Sequence, residues 1–205
     1  MNAVAGGTPL DLHAVEPGFS DPPLASQAVF RAVLNAFARP GQIQRVPSDA
    51  QHPSGAAPAA AALLLALLDP DCTLWLAPRL AHGSAADWLR FHTGCRIVSE
   101  LREAQFLWSD ADQMPPLEQL PAGSEFEPET AATCVIQVHA LEDTAGWRLH
   151  GPGIEQTQPL TVRGLGEAFL TQWRANHAAF PRGIDLLLCA GERVAGLPRT
   201  TSIEG

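Results

Sequence analysis

Two short runs hold most of the groups that could do chemistry. The first, Leu89 to Cys95, sets Arg90, His92 and Thr93 close together. Arg90 offers a planar fork of donors, and His92 exchanges a proton near neutral pH. With the Thr93 hydroxyl they could hold an oxyanion. The plainer and favoured alternative is a helix C-terminus closed by Gly94, where Arg and His complement the helix dipole. The second run, Leu197 to Ile203, sets Arg199, Thr200 and Thr201 directly after a predicted strand. α/β proteins gather ligand groups at strand ends, and one guanidinium beside two hydroxyls suits phosphate oxygens. A polar terminal strand or a partner contact fits the same residues equally well.

Other groups are weaker candidates. His139 and His150 flank a predicted hairpin turn and could begin a metal site. Glu142 and Asp143 fall in that turn and supply no third ligand, so a solvated pair is favoured. Asp185 lies in the apolar run from Gly183 to Leu188 and needs a partner, for which Arg182, Arg193 and Arg199 are available. A structural ion pair is favoured there over a site role. The chain has no Gly-x-Ser-x-Gly elbow and no His-Glu-x-x-His pair. Gly164 and Gly166 lack the third glycine and the preceding strand of a dinucleotide fingerprint.

Composition removes further classes. The chain of 205 residues has no lysine, so all 13 basic residues are arginine. A Schiff base to a carbonyl or to pyridoxal phosphate needs a lysine amine, and a Walker A loop needs its lysine. Neither is available, so no pyridoxal phosphate is expected. A GC-rich genome accounts for the bias, and the chemical consequence stands regardless. The net charge of −9 argues against a nucleic-acid partner, which would require a basic face. It leaves room for a local arginine pocket for a phosphate or phosphonate. Cys72, Cys95, Cys134 and Cys189 form no Cys-x-x-Cys pair and read as reduced cytosolic thiols. The first residues lack a leader pattern, and the apolar run Ala59 to Leu68 is too short to span a bilayer. A soluble cytoplasmic protein without a membrane partner is expected.

These groups must be positioned by a regular framework. Residues 1–20 read as an irregular arm and residues 21–205 as a single α/β domain. Asp21 caps a helix that begins at Pro22 and runs to about Ala38, with Val29, Val33, Leu34 and Phe37 at helical spacing. Further helices are predicted over Ala59 to Leu68, from Ser84 to about Phe91, and over Gly164 to His177. Strands are predicted over Thr73 to Ala77, Gln105 to Trp108, Gly183 to Cys189 and Arg193 to Leu197. Ala132 to Leu141 reads as the clearest strand, folded back as a hairpin onto Gly146 to His150. The alternation predicts a mixed sheet flanked by helices in three layers.

Several segments, in order and spacing, resemble a known family. Phe30 and Arg31 with Pro40 to Ile43 look like its opening helix and turn. Leu89 to Thr93 followed by Ile97 to Ser99 looks like its middle signature. Phe180 to Leu186, Gly191 to Arg193 and Pro198 to Thr201 look like its C-terminal one. The family is the H subunit of the carbon–phosphorus lyase core complex, PhnH, and the resemblance runs from about residue 24 to 204. It implies a role in bacterial phosphonate catabolism and assembly with G, I and J subunits. With an ATPase-like protein, that machinery makes ribose 1-phosphonate 5-triphosphate from ATP and an alkylphosphonate, displacing adenine. The J subunit, a radical enzyme, later cleaves the carbon–phosphorus bond. The resemblance further implies a homodimer and a fold similar to that of pyridoxal-phosphate-dependent transferases, without the cofactor. It carries no catalytic residue across. Arg90, His92, Thr93, Arg199, Thr200 and Thr201 fall in family-like stretches and stay candidates for ligand or interface positions, with a phosphonate or nucleotide as the ligand. The expected function is therefore a complex subunit without evident catalysis of its own. One alternative is a stand-alone enzyme or binding protein for a phosphorylated small molecule, which requires Arg90, His92 and Arg199 to converge on one cleft. The other is a pure dimeric scaffold.

Overall fold

A computed structural model describes residues 15–204 of the chain. In chain order the elements are α1 (Pro22–Ala38), β1 (Gln44–Arg45), α2 (Pro58–Leu67), β2 (Thr73–Leu76), α3 (Pro78–Ala81), α4 (Ala85–Thr93), β3 (Arg96–Ile97), β4 (Phe106–Asp110) and β5 (Thr133–Gln137). They continue with β6 (Ala140–His150), β7 (Gln158–Arg163), α5 (Glu167–Ala178), β8 (Asp185–Ala190), β9 (Arg193–Leu197) and β10 (Ser202–Glu204). Seven strands form a mixed sheet in the order β1-β9-β8-β5-β4-β2-β3. Strands β3, β2, β4, β5 and β8 are mutually parallel, and β9 and β1 close one edge antiparallel.

The parallel strands are buried on both faces, which is why they are nearly continuous apolar runs. Val135, Leu187 and Cys189 point to the face covered by α1, α2 and α4. Cys134, Ile136, Leu186 and Leu188 point to the other. The second face is not covered by helices alone. Helix α5 shares it with a three-stranded antiparallel sheet, β10-β6-β7, which sequence reading did not anticipate.

The small sheet explains the largest correction. The predicted strand Ala132 to Leu141 is broken at Val138 and His139. The Val138 N–H donates to the Cys189 carbonyl at 2.8 Å, still in the large sheet. The His139 N–H donates to the Arg163 carbonyl at 2.8 Å, already in the small one. The predicted hairpin does not exist. Residues 140–150 are one strand with a bulge between Glu142 and Trp147, and the polar stretch that reads as a turn is that bulge. His139 and His150 consequently stand beyond and at opposite ends of β6 rather than across from each other. Among the described residues no group of three or more metal-binding side chains occurs.

Helix α1 begins as predicted, with the Asp21 carboxylate accepting the Leu24 N–H at 3.2 Å. Its buried face is Val29, Ala32, Val33 and Ala36, whereas Leu34 is 53% exposed. Of the predicted stripe, Val29 and Val33 are core and Phe37 packs against it, and only Leu34 is not. Helix α4 runs two residues past the predicted end and stops at Gly94, whose φ of 74° is left-handed. Ser84 stands at its N-cap without a side-chain capping bond. The predicted arm lies partly outside the described residues. Residues 15–20 have no regular structure, and Val15 and Phe19 pack against the core. Among the described residues no helix is long and apolar enough to cross a membrane.

Candidate functional site

The sequence-nominated residues do not converge. On α4, the Thr93 hydroxyl donates back to the Leu89 carbonyl at 2.8 Å and accepts the Cys95 N–H at 3.2 Å, closing the helix end. The His92 ring packs edge-on against Trp88 and Phe91, and its Nε2 lies 3.0 Å from the Glu16 carbonyl. Trp88 Nε1 donates to the same carbonyl at 2.8 Å. These two side chains therefore hold the 15–19 segment down. Arg90 is exposed and pairs with Asp87 at 3.3 Å.

Arg199 is on the other side of the molecule. It follows β9 near α5, and α4 and α5 cover opposite faces of the large sheet. Its guanidinium grips Asp185 through Nη2 at 2.6 Å and through Nε at 3.2 Å, and Nη1 donates to the Pro128 and Pro181 carbonyls at 2.8 and 3.2 Å. All three guanidinium nitrogens are engaged inside the protein. Thr200 is half-buried. Thr201 is fully buried, its carbonyl accepts Trp173 Nε1 at 2.8 Å, and its hydroxyl has no partner. The convergence that the stand-alone Arg/His pocket requires is not met.

The four cysteines supply no nucleophile. Burial pushes every one of their thiols above its ordinary pKa, so none is a thiolate at neutral pH.

The groups that do cluster stand at the carboxyl ends of β2, β4, β5 and β8, the edge where open α/β sheets bind ligands. Two adjoining cavities of about 430 and 520 Å³ open there and share His139. In the first, Asp110 accepts Arg79 Nε and Nη2, both at 2.6 Å, and Gln137 Nε2 at 2.7 Å. Arg79 Nη2 also donates to the Gly55 carbonyl at 2.9 Å, and Gln137 Oε1 accepts the Ala57 N–H at 2.5 Å. This network ties the loop before α2 to the ends of the central strands. The second cavity is lined by Arg45, Glu192, Arg193, His139 and Ile43. Sequence reading missed the first group, although each polar residue visibly ends an apolar strand. It placed Arg193 in a family-like stretch and among the possible partners of Asp185, but not among the ligand candidates.

Burial pushes the Asp110 carboxyl pKa up, but the hydrogen bonds from Arg79 and Gln137 outweigh it, and the net value lies below the ordinary carboxylate range. A depressed folded pKa gives stability that is complete above the unfolded value of about 4 and is lost as pH falls through the folded one. Asp110→Asn is expected to melt earlier than the parent at pH 7 and to lose less stability on going to pH 3. Thermal melts at both pH values check this, and parallel acid limbs would contradict it.

Fold and edge together define a mixed α/β protein with an open polar cleft at the carboxyl ends of its parallel strands. The family model described as bacterial phosphonate metabolism protein (PhnH) matches residues 17–204. The chain belongs to that family. It is 40% identical over 187 residues to the alpha-D-ribose 1-methylphosphonate 5-triphosphate synthase subunit PhnH of Rhizobium meliloti (strain 1021), covering 91% of this chain and 94% of the relative. It is 38% identical over 178 residues to a putative C-P lyase subunit protein, HtxG, of Stutzerimonas stutzeri, covering 86% of this chain and 85% of the relative.

Proposed function

We propose that this chain is a subunit of a phosphonate-activating assembly that makes ribose 1-phosphonate 5-triphosphate from ATP and an alkylphosphonate. It contributes binding and shape rather than an independent turnover. The observation that carries this is the nearly end-to-end similarity to a protein named as a subunit of the corresponding synthase. The geometry is consistent with it, because Thr93, His92 and Arg199 are engaged in holding the fold together. On this reading its partners are the G, I and J subunits, and alone it forms a homodimer in the cytoplasm. Its framework is taken to be that of the pyridoxal-phosphate-dependent transferases, used without that cofactor because no lysine exists to hold it.

Co-expression with G, I and J subunits tests the reading. A tagged form of the chain is expected to retain all three through gel filtration, and alone to elute at the mass of a dimer. A chain that elutes free of the three subunits overturns it.

A further inference from the structure

We propose that the cleft between the β1–β9 edge and His139 is a phosphoanion site, with Arg193 and Arg45 as its cations. The first reason is an electrostatic anomaly. Arg45 and Arg193 are direct cross-strand partners in the antiparallel pair of β1 and β9. Like charges so placed destabilise a sheet. They are placed so in a chain whose net charge is −9, where a carboxylate at either position was compositionally cheap.

Local carboxylates do not resolve the anomaly. Glu192 bonds Arg45 alone, through Nε at 3.1 Å and Nη2 at 2.9 Å, and both side chains are largely exposed, so that pair contributes little. Glu142 also feels Arg193, but it is taken by Arg163 at 2.9 Å. Among the described residues the Arg193 guanidinium has no ion-pair partner. An open fork of donors is left facing the cavity.

The second reason is position and rigidity. The cavity lies at the carboxyl edge of the parallel strands and has about 520 Å³, enough for a small ligand. The turn that carries Arg193 is fixed on both sides. The Ala59 N–H donates to the Gly191 carbonyl at 2.9 Å, and the Val46 N–H donates to the Glu192 carbonyl at 2.8 Å. His139 is held opposite by its own N–H bond to Arg163. The open Arg193 fork, the Arg45 guanidinium whose Nε and Nη2 are shared with an exposed Glu192, and an imidazole around one opening suit a tetrahedral, multiply charged oxyanion, because a guanidinium fork grips two oxygens. The common chemistry is a phosphoryl or phosphonyl group, from an alkylphosphonate or from the polyphosphate tail of a nucleotide. The choice of those two sources rests on the function proposed above, whereas the site itself rests on the geometry.

Calorimetric titration of the full chain with methylphosphonate, tripolyphosphate and acetate tests this. One of the two phosphorus anions is expected to bind with a single site per chain, and acetate far more weakly. The tighter of the two identifies the source. Arg193→Ala is expected to weaken binding about tenfold, the effect of losing one charge-assisted contact. Glu192→Gln strengthens binding, and Arg90→Ala leaves it unchanged. Because Arg193→Ala relieves a like-charge contact, its Tm is expected to hold or rise, so lost affinity is not lost folding. No binding of either phosphorus anion at millimolar concentration, equal binding of acetate, or an unchanged Arg193→Ala overturns the site. Co-purification separates this from the subunit reading. A chain that assembles without binding loses only the site, and one that binds without assembling loses only the subunit role.

Discussion

Gly196→Val is expected to lower the free energy of unfolding by about 3 kcal/mol, since it forces atoms into a close-packed contact. For a chain of this length that is a fall in Tm of roughly 6–12 °C. Gly196 lies in β9 directly beneath α1. A Cβ there would come within 2.5 Å of the Ala36 carbonyl oxygen, 2.6 Å of its carbon and 2.9 Å of the Phe37 nitrogen. All three are helix backbone, which no rotamer change can move aside. The helix must lift, and with it Val29, Val33 and Ala36 leave the core they share with α2 and the sheet. The Gly196 carbonyl also accepts the Gly41 N–H at 3.1 Å, so the turn after α1 is strained by the same shift. Gly83→Ala is the control. Its added Cβ meets nothing closer than 3.6 Å, and its expected effect is within about 0.5 kcal/mol. Denaturant unfolding of both variants checks the pair. A Gly196→Val loss as small as that of the control would mean that α1 is not seated as described.

The same contact shows what sequence reading can and cannot recover. The Asp21 cap, Pro22 and the stop at Pro40 are local signals, so the extent of α1 was legible. Most of its buried face was legible too, since Val29 and Val33 are core and Phe37 packs against it. Leu34 looks like core by type but is exposed, and the close seat of Ala36 against Gly196 is set by a strand far along the chain. The parallel strands were legible because burial on both faces leaves nearly unbroken apolar runs. The small sheet was hidden by the bulge at residues 143–146, whose polar residues mimic a turn. The candidate site was the least legible part. Arg45 and Arg193 become neighbours only through β1–β9 pairing, and Arg79, Asp110 and Gln137 only through the parallel order of β2, β4 and β5. Arg199 misled in the opposite way. Its place after a strand suits a ligand residue, yet the structural ion pair favoured for Asp185 is what it forms, and spacing alone could not choose Arg199 over Arg182 and Arg193 as the partner.

That pair carries the second large effect. Asp185→Ala is expected to cost about 3 kcal/mol, the low end for breaking a buried pair, because it strands an arginine without its carboxylate. The Arg199 side chain is only 12% exposed, and the 24% exposure of Asp185 keeps the effect from being larger. The carboxylate does more than neutralise charge. Its Oδ1 also accepts the Arg199 N–H at 2.7 Å, which fixes the path of the chain between β9 and β10. Arg199 in turn joins the Pro128 and Pro181 carbonyls, so three loops meet on one guanidinium. Arg199→Ala is expected to destabilise by a similar amount. The double variant is expected to lose less than the sum of the two, by about 1–3 kcal/mol, since the second truncation removes a group already stranded by the first. Unfolding free energies of the three variants close that cycle, and strict additivity would show the pair to be uncoupled. Titration with the phosphorus anions, below the melting range, then separates the two arginines by role. Arg199→Ala loses stability and keeps affinity, whereas Arg193→Ala keeps stability and loses affinity. The reverse pattern would return the ligand role to Arg199, and with it the end of β9 in place of the β8–β9 turn.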